Sequence, residues 1–179
     1  MTCTAFIATS LDGFIARTNG GIDWLAAVEM EGEDYGYAAF MATVNVLVMG
    51  RGTFETVVDF PEWPYGDTPV TVLTHRPLTV PERLQNKVSA LALEPVAVVE
   101  HFRQQGAAHL YVDGGKTIQS FLAAGHLDRL VISQIPVLLG EGIPLFGPLP
   151  ADRRLLHLET KSFASGLVQS TYEIAKQVS

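Results

Sequence analysis

Three stretches of the chain run from an apolar strand directly into glycine or polar residues. They are Val48-Met49-Gly50-Arg51-Gly52-Thr53, Val72-Leu73-Thr74-His75-Arg76 and Val112-Asp113-Gly114-Gly115-Lys116-Thr117. In an open α/β sheet such junctions lie at the carboxyl ends of the strands, where ligands bind. A helix starting there presents free N–H groups and partial positive charge, and glycine lets a phosphate approach the backbone. Arg51 and Arg76 add forked, permanently charged donors. The set reads as a site for a pyrophosphate and one further phosphate. Each piece alone has a plainer meaning: Gly114-Gly115 as turn geometry, Arg51 or Arg76 as a solvated charge. The glycine fingerprint Gly-x-Gly-x-x-Gly does not follow the first strand, so the ordinary dinucleotide motif is set aside.

The elements that must hold these junctions alternate between β-rich and helical stretches, which reads as α/β with a largely parallel sheet. Strands are expected over 4–8, 46–49, 70–74, 87–91, 109–112 and 130–133. Val46-Leu47-Val48-Met49 is short and wholly apolar, the type buried in a parallel sheet. A helix is expected over 33–43, where Tyr37, Phe40, Met41 and Val44 recur at helical spacing. A second begins after Gly50. A third lies between Pro95 and Gly106, residues suited to a first turn and to the position past a helix end. A fourth follows Gly114-Gly115, with Ile118, Phe121 and Leu122 inward. Segments 12–24 and 59–69 read as loops. Arg154 to Phe163 and Leu167 to Ile174 flank Ala164-Ser165-Gly166 and read as a terminal β-hairpin. The expected sheet is mixed, mostly parallel and of about eight strands, with helices on both faces.

Bulk properties narrow the function classes. The 179 residues are 47% hydrophobic and 17% charged, which suits one folded domain and excludes a disordered chain. A net charge of -7 would repel a phosphate backbone, so no nucleic-acid partner is expected. The single cysteine, Cys3, allows no intramolecular disulfide, fits a reducing compartment and reads as a small core residue. The apolar start lacks a basic flank and is interrupted by Asp12, so neither a signal peptide nor a membrane span is read. The expectation is a cytoplasmic protein with no membrane partner and no metal.

Four segments carry a family resemblance: Ser10-Leu11-Asp12-Gly13, Met49-Gly50-Arg51-Gly52-Thr53-Phe54-Glu55, Val112-Asp113-Gly114-Gly115, and the run Pro136-Val137-Leu138-Leu139-Gly140-Glu141-Gly142-Ile143-Pro144-Leu145-Phe146. With them the chain resembles the dihydrofolate-reductase-like superfamily, specifically the RibD C-terminal domain family of bacterial reductases, over nearly its whole length. The resemblance implies a single three-layer αβα domain across 1–179, NADPH as cofactor, and hydride transfer to a small heterocyclic C=N or C=O substrate. A non-catalytic NADP(H)-binding module of the same fold is the alternative. It further implies that Gly50, Arg51 and Thr53 face the NADPH phosphates. Thr74, His75 and Arg76 would hold the 2′-phosphate, and Gly114 and Gly115 the pyrophosphate, with Lys116 and Thr117 beside them. Backbone near Ala8 would meet the nicotinamide carboxamide under a mobile loop of roughly Asp12 to Trp24. Family members pair into homodimers, for which the apolar tail hairpin offers a surface.

The same resemblance singles out two acids. The family's Ser-x-Asp-Gly lies near the nicotinamide, which marks Asp12, although Asp-Gly is also a routine turn. Counting back from Met49-Gly50-Arg51 aligns Asp34 with the carboxylate that binds the pterin in dihydrofolate reductases. In an apolar cleft it would hold a raised pKa and act as acid or hydrogen-bond anchor; its plainer reading is an acid in a helix's first turn. Trp24, Tyr35, Tyr37 and Phe40 form either an aromatic pocket or core, with Trp24 and Tyr37 the substrate-binding candidates and Phe40 core. The named family substrates fit less well. The folate-gripping arginine has no counterpart in Gly66-Asp67-Thr68-Pro69. The riboflavin-pathway Trp-Ile-Thr is here Trp24-Leu25-Ala26, and no arginine falls between Arg17 and Arg51.

Overall fold

In the computed structural model, which describes residues 1–175, strands and helices follow one another as β1 (Thr2–Ser10), β2 (Phe14–Ala16), α1 (Tyr37–Met41), β3 (Val46–Gly50), α2 (Arg51–Val57), β4 (Val70–Leu73), β5 (Val88–Leu91), α3 (Pro95–Gln104), β6 (His109–Asp113), α4 (Gly115–Ala123), β7 (Arg129–Ile135), β8 (Ile143–Pro144), β9 (Leu155–Ser162) and β10 (Val168–Ile174). Eight strands make one sheet in the order β5-β4-β3-β6-β1-β7-β10-β9. The strands from β5 to β7 in that order pair in parallel, whereas β10 runs antiparallel to both β7 and β9. The expected mostly parallel sheet with a terminal antiparallel hairpin is therefore present.

Successive strand residues point to opposite faces, and the sequence makes both faces apolar. Val48, Leu110 and Val112 pack with Val98, Val99 and Phe102 of α3 and Ile118, Phe121 and Leu122 of α4. Leu47, Met49 and Tyr111 point the other way, onto Phe54 and Val57 of α2, with Tyr37, Phe40 and Met41 of α1 against them. The result is the three-layer αβα arrangement that the resemblance implied. Phe54 and Phe121 are fully buried on opposite faces, and removing either ring would cost about 3–5 kcal/mol. Phe40 packs on Phe6 and Tyr111, as expected of a core residue. Cys3 is buried, and its thiol is pushed up to about 12 by desolvation and then by Asp128.

The expected helix over 33–43 is corrected to the five residues of α1. The Glu33 carboxylate accepts the Tyr35 N–H, Asp34 accepts the Gly36 and Ala38 N–H groups, and the backbone turns left-handed at Tyr35 and Gly36. Side-chain oxygens thus compete with helical pairing in the preceding turn. Segment 12–24, expected as a loop, contains β2 and the start of a 3-10 helix, Asp23–Val28. It is tied down by Leu11 N to Val137 O at 2.8 Å, Leu145 N to Gly13 O at 3.0 Å and the Arg17–Asp23 ion pair. β2 pairs with β8, an element drawn from the Gly/Pro-rich run. At the sheet edge β9 exposes every residue, Leu155, Leu156 and Leu158 included. Among the described residues no helix is long and apolar enough to cross a membrane.

Candidate functional site

Register places the three junctions in one row. Gly50 pairs with Leu73 and Met49 with Asp113, so β4, β3 and β6 end side by side at the carboxyl edge of the sheet. Arg51 draws the first two together: its Nε donates to Thr74 Oγ1 at 3.1 Å, and Nη2 donates to the Arg76 carbonyl at 2.9 Å and to the Pro77 carbonyl. Its Nη1 is 3.2 Å from Glu55 Oε1. The Arg51 guanidinium is therefore largely engaged by the protein, while the Arg76 side chain is exposed and makes no hydrogen bond among the described residues. His75 stands outward, 74% exposed and 3.9 Å from Glu94.

The third junction packs against the first. Gly114 has φ of +87°, and a Cβ there would fall 2.1 Å from Thr53 Oγ1. A Cβ on Gly115 would fall 2.6 Å from Ile15 Cδ1, so the β2–β8 ribbon lies against the Gly-Gly turn. At Gly114 the positive φ and the close approach of Thr53 together require glycine, whereas a side chain at Gly115 would have to displace the tip of Ile15. Gly114 caps α4, whose first turn carries Gly115, Lys116 and Thr117; Lys116 is exposed and Thr117 buried near Gly50. Helix geometry leaves these first N–H groups without intrahelical partners. Beneath them the Asp113 carboxylate accepts the Tyr65 O–H at 3.0 Å and the Gly114 N–H at 2.8 Å. Burial pushes the Asp113 pKa up, which favours the neutral form next to this anion-seeking turn.

Beyond β6 the same edge continues into a cavity of about 570 Å³ at the ends of β1 and β7. Ala8, Phe6, Ile135 and Leu167 form part of its lining, and Tyr37 and Asp34 also reach it. Trp24 does not line the cavity. It lies behind it, 4% exposed, packed with Val28, Ile135 and Leu167, and its Nε1 has no partner among the described residues. The Asp34 carboxylate is exposed and accepts the Ala38 N–H at 2.8 Å and the Gly36 N–H at 2.9 Å; these bonds hold its pKa below the usual range. It therefore stays ionised, which suits an anchor rather than a proton donor. Asp12 is outside the lining. It accepts the Ser10 O–H at 2.6 Å and the Gly140 N–H at 2.8 Å, is likewise held low by them, and fastens the Gly/Pro-rich run to β1.

Two cavity features were not singled out from the sequence. Ser133 is buried at the cavity wall and its Oγ accepts Gln169 Nε2 at 2.9 Å; the same Nε2 donates to the Tyr35 carbonyl at 3.0 Å. The signal was a serine sharing a strand face with Val131 and Ile135, both buried. The other is a rim of Glu29, Glu31, Glu33 and Asp34, with no lysine or arginine in the lining.

Comparison with known proteins agrees with the fold. The RibD C-terminal domain model matches residues 1–169. The Bacillus subtilis protein YwjB is 35% identical over 164 residues, which cover 90% of this chain and 92% of YwjB. A solved Shewanella sp. PV-4 protein, provisionally assigned to riboflavin biosynthesis, is 39% identical at a TM-score of 0.92 and covers 98% of this chain and 99% of its own. A Thermotoga maritima diaminohydroxyphosphoribosylaminopyrimidine deaminase/5-amino-6-(5-phosphoribosylamino)uracil reductase superposes at a TM-score of 0.76 with 12% identity. The match covers 97% of this chain and 56% of that one, and at this identity the likeness is one of fold.

Proposed function

The chain belongs to the RibD C-terminal domain family, and from that membership we propose an NADPH-dependent reductase that passes hydride to a small heterocyclic C=N or C=O substrate. The observation that carries the reading is the alignment of three glycine- and cation-bearing strand ends in one row, on the same sheet edge as an open cavity at Ala8. The donor set fits a dinucleotide. The first turn of α4 offers N–H groups without intrahelical partners to a pyrophosphate, and Gly114 and Gly115 add no side chain of their own to that turn. Exposed Arg76, beside half-buried Thr74, suits a 2′-phosphate, with Arg51 holding that loop in place through its bonds to the Arg76 and Pro77 carbonyls.

When bound, NADPH supplies the hydride. The chain's own contribution is position and exclusion of water. Backbone at Ala8 orients the nicotinamide end, Phe6 and Tyr37 wall the reacting face, and ionised Asp34 accepts a hydrogen bond from substrate. The proton that completes the reduction is assigned to neither Asp34 nor Asp12, whose carboxyl groups are both held below the usual range by hydrogen bonds.

The test is NADPH fluorescence and thermal shift, followed by NADPH consumption with a panel of cyclic imines and ketones. NADPH at about 100 times its Kd should add about 2.7 kcal/mol to stability, and one panel member should be turned over. No NADPH-dependent rise in Tm would overturn the reading; binding without turnover across the panel would favour the non-catalytic module.

A further inference from the structure

We propose that the cavity selects a planar substrate that bears no phosphate or carboxylate and carries a cationic or neutral nitrogen group, seated on Ser133 and facing the acidic rim. The inference deepens the proposed reductase reading and rests on it for the cavity's role as substrate site. Its size, about 570 Å³, suits a single small molecule. Phe6, Ile135 and Leu167 give it apolar walls for a flat ring.

Ser133 supplies orientation. The Tyr35 carbonyl can only accept, which fixes Nε2 as the end of the Gln169 amide that faces both Tyr35 and Ser133. Ser133 Oγ therefore receives one hydrogen bond from the protein. Its own proton and a second lone pair remain for a bound molecule, on a residue only 4% exposed at the cavity wall. Gln169 also pins the 28–36 segment through Tyr35, and the Tyr35 hydroxyl donates back to the Val28 carbonyl.

Charge supplies selection. Glu29, Glu31, Glu33 and Asp34 give the lining four formal negative charges, and no lining residue is positive. Glu33 and Asp34 are each partly engaged by backbone N–H groups, whereas Glu29 and Glu31 accept no hydrogen bond among the described residues. A phosphorylated substrate, such as the one in the Thermotoga protein's description, would bring like charge to this rim. A protonated or N–H-rich ring would meet opposite charge and free acceptors.

Three probes of nearly one shape test this: benzamidine (cation), benzamide (neutral) and benzoate (anion), titrated by NMR against the protein alone and with NADPH. At about 20 mM salt benzamidine should bind at least about tenfold tighter than benzoate, with benzamide between, and about 0.5 M salt should compress the order. Glu29→Gln with Glu31→Gln should bring benzamidine and benzoate to within about threefold. The distant pair Glu159→Gln with Glu173→Gln should leave the order intact, which separates the rim from the protein's overall acidity. Ser133→Ala should weaken benzamide about fivefold or more, with a modestly lowered Tm because Gln169 Nε2 loses one acceptor. Equal or tighter benzoate binding, no binding of any probe, or an order insensitive to the rim variants overturns the proposal. Because the order is read without NADPH, a failure of NADPH binding strikes the reductase reading and leaves the charge preference standing on its own result.

Discussion

The groove at the ends of β3, β4 and β6 and the cavity at the ends of β1 and β7 share one edge of the sheet, yet they are made of different material. The groove is built mainly from backbone: a Gly-Gly turn, the first N–H groups of α4, and a loop whose carbonyls are held by Arg51. The cavity is built from side chains of β1 and β7 faced by those of the irregular segment 28–36, and its rim is negative where the groove is positive. A backbone receptor tolerates little sequence change and suits a constant ligand. A side-chain receptor on an irregular segment can change its ligand without disturbing the sheet. On the proposed reading, opposite charge would also keep an anionic cofactor and an uncharged or cationic substrate from exchanging places.

The hardest blow to the groove is Gly114→Ala. The new Cβ meets Thr53 and the backbone keeps φ of +87°, so stability should fall by about 2–4 kcal/mol and NADPH binding should be lost. Denaturant unfolding and a fluorescence titration check this; retained binding at wild-type stability would mean that the turn is not the pyrophosphate cradle. Arg76→Ala should be gentler and more selective. Loss of charge-assisted bonds should weaken NADPH about 10–100-fold while NADH changes by about twofold or less. Equal losses would remove the 2′-phosphate from this site. Arg51 is the poorer test because it also staples the 74–77 turn.

On the cavity side the effect is smallest and its sign is set by linkage. The folded pKa of Asp34 is depressed, first by the Ala38 N–H and then by Gly36. Its stabilising contribution is present above the unfolded value of about 3.9 and is lost as pH falls through the folded value. Between about pH 5 and pH 8, Asp34 should therefore contribute no ionisation to the kcat profile. Asp34→Asn should raise KM several-fold for an N–H-bearing substrate and leave both the profile's shape and NADPH affinity unchanged. Disappearance of an acid limb near about pH 6 in the variant would instead make Asp34 the proton donor.

Much of this plan was legible before any coordinates. Wholly apolar runs such as Val46 to Met49 announce parallel strands buried on both faces, and glycine after a strand announces a junction open to ligands. The same reasoning overran at 33–43, where the spacing of Tyr37, Phe40, Met41 and Val44 is helical, but the Glu33 and Asp34 side chains cap the backbone and shorten the helix to Tyr37–Met41. Trp24 read as a pocket residue by its type, and it lies behind the cavity because the 3-10 helix Asp23–Val28 turns it onto Leu167 and Ile135.

Local residue type and period, then, determined the elements, their order of use and the three ligand-ready strand ends, since those properties act between near neighbours in the chain. The tertiary structure alone decided that Ser133 meets Gln169, that Arg51 spends its donors on the 74–77 turn, and that the acidic run 29–34 faces the wall made by β1 and β7. Such contacts join residues dozens of positions apart, and their partners are chosen by sheet order and register, which no short window of sequence contains.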